Sequence, residues 1–156
     1  MSALPQLEYE PRQLSGSAQP DVPAFPRFAA HFQAPTVAWQ AGALAKLIAL
    51  SNMRENWDGY GAQQLRRDTA FFALDVLHGV MSPRTPIPQI VPSASGGVQL
   101  EWHTRDIDLE ITISKPLECD FWFLDHRGES DHLDDEFQFA SDYARLRPYF
   151  RKLTER

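Results

Sequence analysis

The hydrophobic positions of the chain follow two periods, and the switch between them outlines a fold. Val37, Ala41, Leu44 and Ile48 recur at helical spacing, with Trp39, Leu47 and Leu50 widening the stripe. A helix is expected over residues 37–51, with Thr36 as its N-cap. Ala70, Leu74, Leu77 and Met81 form a second stripe, and Phe71, Phe72, Val76 and Val80 make the other faces apolar too. That helix, over residues 68–81 with Asp68 as cap, is expected to be buried on several sides or to sit at a subunit contact. His78 within it reads as a packed or rim histidine.

From there the period shortens to two. Residues 89–91 lie between Pro88 and Pro92 and read as a short edge strand, where proline is tolerated. Gly96-Gly97 signals a turn, and residues 98–102 alternate apolar with polar. Ile107, Leu109, Ile111 and Ile113 share one face of the next strand, with Asp106, Asp108, Glu110 and Thr112 on the other. Phe121-Trp122-Phe123-Leu124 is apolar on both faces and is expected to be covered on both. A polar loop over residues 125–135 follows, then an alternating segment over 136–140. A terminal helix capped by Ser141 is expected next, broken or restarted at Pro148. The order predicts an α+β sandwich: two N-terminal helices packed on an antiparallel β-meander of about four strands, plus a C-terminal helix.

Residues 1–35 stand apart, with six of the twelve prolines and neither period. Tyr9, Phe25, Phe28 and Phe32 make this stretch too apolar for a simple linker. It reads as an extended arm that pins its aromatics onto the domain or onto a second copy, with a disordered tail as the alternative. Residues 36–156 read as a single α+β domain, long enough to fold without a metal or disulfide. The one cysteine, Cys119, excludes an internal disulfide and reads as a buried thiol. No apolar run approaches a bilayer span and no leader pattern opens the chain, so a cytoplasmic location is expected.

Charge changes the picture more than composition does. The net charge of −6 argues against direct binding of a phosphate backbone. Residues 101–142 hold 13 acidic side chains against Arg105, Lys115 and Arg127, whereas residues 143–156 are basic through Arg145, Arg147, Arg151, Lys152 and Arg156. One module therefore carries most of the field. Asp125-His126, Asp131-His132 and Asp134-Asp135 include metal-ligand types, but their spacing matches no ligand motif and a polar hairpin loop accounts for them. No metal or cofactor is expected.

The most distinctive segment is Asn56-Trp57-Asp58-Gly59-Tyr60-Gly61, between the two helices. Asp-Gly is a turn signal, and Asn56 and Asp58 can accept hydrogen bonds from nearby amides. A structural corner explains each residue. A catalytic reading would pair Glu55 with Asp58, adding His126 or His132 with a metal in a small hydrolase.

With Ala62, the apolar helix, the proline-rich crossing, residues 96–102 and Leu109-Glu110-Ile111, this loop resembles a group of small bacterial and prophage proteins carrying an Asn-Trp-Asp-Gly-Tyr-Gly-Ala motif. The resemblance covers about residues 37–125, and Gln63 stands where the group usually has proline. It implies a mobile-element origin with anti-defence or toxin-linked roles. By size, acidity and lack of catalytic motifs the chain is also similar to phage-encoded anti-CRISPR proteins.

These expectations converge on a non-enzymatic inhibitor. Asp106, Asp108 and Glu110, about 6.7 Å apart along one strand face, would form a row of negative charge spaced much like phosphates. Such a row could occupy a basic groove of a CRISPR surveillance complex or another nucleic-acid-handling protein, with Asp131, Asp134, Asp135 and Glu136 in support. A homodimer is expected from the aromatic content and the charge reversal. The alternative is an antitoxin-like or accessory protein of a toxin or defence operon that grips its partner with the proline-rich arm.

Overall fold

A computed structural model describes residues 37–104, 106–127 and 133–155, except for the side chains of Leu133 and Asp134. The chain divides after His31, and the fold is that of the second unit, Phe32–Arg156. Thr36, the arm residues, Asp131 and His132 lie outside the described residues.

Helix α1 (Ala38–Ser51) starts beyond Val37, whose backbone is extended and whose N–H donates to Gln40 Oε1 at 3.3 Å. Its buried side chains are Trp39, Ala43, Leu47 and Leu50, so the inward stripe is the one expected only to widen it. Helix α2 (Arg67–Val80) begins earlier than Asp68, and Asp68 is not the cap. Its carboxylate instead accepts the Thr69 N–H at 2.7 Å, a negative group in the first turn where the helix dipole favours one. Thr69, Ala70, Phe72, Ala73, Val76 and Leu77 are buried, whereas Leu74 and Met81 of the expected stripe are half-buried. Small residues at 70 and 73 permit a close approach, which sets the helix rotation.

The sheet has five strands, one more than expected, in the order β1-β2-β3-β4-β5 with every neighbour antiparallel. They are β1 (Gln89–Pro92), β2 (Val98–Thr104), β3 (Ile107–Lys115), β4 (Glu118–Asp125) and β5 (Leu133–Phe139). A 3-10 turn (Tyr143–Leu146) then leads into α3 (Arg147–Glu155). Asp142, not Ser141, precedes that turn and makes no side-chain cap bond. Pro148 falls in the first turn of α3, where its missing N–H costs nothing.

Alternation along the strands sends Leu100, Trp102, Leu109, Ile111, Phe121 and Phe123 to one face, where they are fully buried. Leu47, Val76, Leu77, Phe150 and Leu153 from the helices complete this core. Side chains of this size contribute about 1.5–3 kcal/mol each when withdrawn from water. Trp102 meets Phe150 edge-on at 5.0 Å and donates its indole N–H to Pro86 O at 2.8 Å. At Gly97 an added Cβ would sit 2.5 Å from Ile113 O, so the β1–β2 turn can close against β3 only with glycine there.

Trp122 and Leu124 point to the opposite face. Of the two faces of β4 expected to be covered, the described residues cover one, with all three helices packed on that side. The outer edge of β1 is also distinctive. Ser93 donates to Gly97 O at 3.0 Å, one step beyond the Pro92–Val98 pair. The antiparallel ladder then turns the backbone nitrogens of residues 88, 90 and 92 outward. Two of these three are prolines, leaving only the Ile90 N–H as an outward donor.

Candidate binding face

The Asp-Gly loop between α1 and α2 is closed by its own side chains. Asn56 takes a φ of 59°, and Gly59 and Gly61 take 79° and 94°. Asp58 Oδ1 accepts the N–H groups of Tyr60 at 2.8 Å and Ala62 at 3.0 Å, while Asn56 Oδ1 accepts that of Gly61 at 2.6 Å. Trp57 donates its indole N–H to Gln63 O at 3.1 Å. Beyond the loop, Gln63 and Arg66 N–H groups bond Ala94 O and Gly96 O, which ties the segment to the β1–β2 turn. The Arg66 guanidinium also donates to Ser114 O. The amides of Tyr60 and Ala62 hold the Asp58 carboxyl below its ordinary range. Asp58 is thus committed to the backbone as an anion. Tyr60 alone has no packing role, being 94% exposed.

The loop and His126 are not brought together. Gln63 and Arg66 dock at the Gly96 end of the sheet, and His126 N–H bonds Asp106 O at the other. The nine residues of β3 separate those ends by roughly 25–30 Å. Among the described residues no group of three His, Cys, Asp or Glu is placed to hold a metal. Cys119 is buried, and its thiol is pushed up to about 12, mainly by burial.

The open face of the sheet gathers the acidic residues. The register sets Glu101 opposite Glu110, Glu110 opposite Trp122, and Trp122 opposite Glu136. Asp108 lies opposite His103 and Leu124, and Asp120 opposite Thr112 and Gln138. Neutral groups bind several of these carboxylates. Glu110 Oε1 accepts from Gln99 Nε2 at 2.7 Å and Thr112 Oγ1 at 2.8 Å, and Asp120 Oδ1 accepts from Gln138 Nε2 at 2.9 Å. The one Lys or Arg at a described strand position of this face is Lys115, at the β3–β4 end, where the register shifts and its Nζ pairs with Glu118 at 2.8 Å.

Asp108 is the best-held member. His103 Nδ1 lies 2.7 Å from one carboxylate oxygen and His126 Nε2 2.5 Å from the other. The His103 contact, then that of His126, holds the Asp108 carboxyl below its ordinary range. The same contact with Asp108 raises the His103 imidazole above 6.5, and Glu101 at 3.5 Å acts in the same direction.

The expected acidic set is therefore regrouped. Asp108, Glu110 and Glu136 share the open face. Asp106 is not on the strand row: it sits in the β2–β3 turn at a φ of 60°, and its carboxylate accepts Arg127 Nε at 2.6 Å. Asp135 faces the helices, where it accepts the Tyr149 hydroxyl at 2.8 Å. Asp134 takes the register position opposite Leu124. Asp125, expected in the loop, ends β4 buried, with Lys152 Nζ at 3.9 Å. Glu101, Asp120 and Trp122 belong to the face without having been singled out. Their strand alternation was readable, but which strands lie side by side was not.

No described helix is long and apolar enough to cross a membrane. Comparison with family models, curated proteins and solved structures gives no match. The resemblance read from the loop thus rests on its own residues.

Proposed function

We propose that the chain is a non-enzymatic binding protein whose open sheet face occupies a basic, nucleic-acid-handling surface of another protein. One observation carries the reading: Glu101, Asp108, Glu110, Asp120 and Glu136 share a face whose one lysine or arginine at a described strand position, Lys115, sits at its end and is taken up by Glu118. Amide, hydroxyl and imidazole groups fix carboxylates there, and the amides and hydroxyl do so without neutralising them. A solvated surface built for solubility would intersperse both signs. A dense anionic field of this kind attracts a cationic groove and repels nucleic acid itself.

The motif resemblance and the likeness in class to anti-CRISPR proteins name the target within this reading. It is a bacterial CRISPR surveillance complex, bound in the host cytoplasm by a homodimer. The test is a pull-down with the tagged full chain from a lysate containing an assembled type I surveillance complex, with and without nuclease. Retention after nuclease treatment, weakening as salt rises, is the expected result. Replacing Glu101, Glu110 and Glu136 together by glutamine should abolish it. Retention by that variant overturns the acidic-face mechanism, and no retention by the native chain removes this complex as the partner.

A further inference from the structure

An apolar strip runs along β4 on the open face, and net charge does not account for it. Trp122 and Leu124 are half-buried among their neighbours on β4, with no described element packed over them. Glu110 and Glu136 stand directly opposite Trp122 on the two flanking strands. Each is one strand spacing away, about 4.8 Å. Along β4 itself Asp120 and Leu124 lie about 6.7 Å to either side.

The helix face shows what this chain does with rings near its surface. Arg145 places its guanidinium 3.6 Å from the Phe137 ring centre, and Lys152 Nζ lies 5.1 Å from that of Phe123. Indole attracts a cation more strongly than phenyl does. Yet among the described residues no lysine or arginine is placed over Trp122, while carboxylates flank it on both sides. The ring and the counter-charges are present, and a partner would have to bring the cation.

We infer that Trp122 is the seat for an arginine side chain of the protein partner, with the guanidinium lying on the indole and hydrogen-bonded to Glu110 and Glu136. The inference rests on the proposed acidic-face binding and specifies its chemistry. Arginine fits better than lysine because its planar fork stacks on a ring and donates to two carboxylates at once. Glu110 is prepared for this: Gln99 and Thr112 hold Oε1 and leave Oε2 to a newcomer. Leu124 offers an apolar surface for the aliphatic stem.

The experiment titrates the full chain with two synthetic peptides of equal charge, one alternating arginine with glycine and one alternating lysine with glycine. Indole N–H resonances are followed, and the Trp122 signal is assigned by its loss in Trp122→Ala. The arginine peptide should shift that signal and bind about two- to five-fold more tightly than the lysine peptide. Trp122→Ala should remove the preference, and Trp122→Tyr should restore part of it, which separates loss of the ring from loss of fold. Equal binding of both peptides, with the Trp122 signal unmoved, overturns the inference. If the Glu110→Gln, Glu136→Gln double variant loses peptide binding while Trp122→Ala keeps it with the arginine preference, the acidic reading stands and the inference alone falls. If the double variant binds as tightly as the native chain, both fall.

Discussion

Along β4, Phe121 and Phe123 point into the helices and are inaccessible, while Trp122, between them in the chain, points to the other side among carboxylates. The two faces are made by alternate residues of the same strands, yet they follow different rules. On the helix face every contact favours burial: Tyr149 lies 4.8 Å from Phe121 and 5.0 Å from Phe123, and the buried Asp125 is met by Lys152. On the open face Glu101 stands directly opposite Glu110, a like-charge pair that weakens a sheet. Stability explains the first face but not the opposed carboxylates of the second.

Neighbouring truncations give the widest separation. Phe123→Ala should cost about 3–5 kcal/mol, as buried aromatic truncations do. Trp122→Ala, one residue away, should cost only about 1 kcal/mol, the span of surface strand preferences. Urea unfolding of the two variants reads this directly, and equal losses would mean that the open face is part of the core. Gly97→Ala comes next: its Cβ meets the Ile113 carbonyl oxygen, and the strain of such overpacking is about 1–3 kcal/mol in the same measurement.

Glu101→Gln should move the other way. Removing one of two opposed charges is expected to raise stability by about 0.2–1 kcal/mol while weakening binding to a basic partner. A thermal melt paired with the pull-down would check both signs. A stability loss would show that Glu101 serves the fold through His103.

The smallest effect is in pH. His103 is held protonated above its ordinary value of 6.5 by Asp108, and Asp108 is held ionised below its ordinary 3.8. The contribution of His103 is complete below pH 6.5 and fades as pH rises through its raised value. That of Asp108 is complete above 3.8 and fades as pH falls through its lowered value. A proton NMR titration should place His103 to the alkaline side of 6.5, and Asp108→Asn should bring it back. Because His103 is about half exposed, solvent screening keeps the stability change small.

Much of this architecture could be read from spacing alone. The period-two segments became strands at nearly the expected places, because one-residue slips would expose Leu100, Leu109 and Phe121. Helix starts were less legible. Asp68 looks like a cap, but the chain after Ala62 is held by Gly96 O and reaches helical geometry earlier. The acidic face was half legible. Asp108 and Glu110 alternate visibly along one strand, but Asp106 falls in a turn that no period marks. Asp135 follows Phe123, its cross-strand partner, to the helix side. Glu101 and Asp120 joined the face through pairing between strands, a long-range fact that spacing within one strand does not contain.

The proline-blunted edge of β1 makes growth of the sheet one-sided. A neighbouring strand would find one outward N–H on β1, whereas β5 carries no proline along its length. Two copies joined antiparallel through their β5 edges would form a sheet of twice the width whose outer rims are both β1. Such an assembly terminates at two and cannot extend into a fibre. The symmetry of an antiparallel join also keeps both open faces on the same side. The acidic surface would then double in length without any change in either copy.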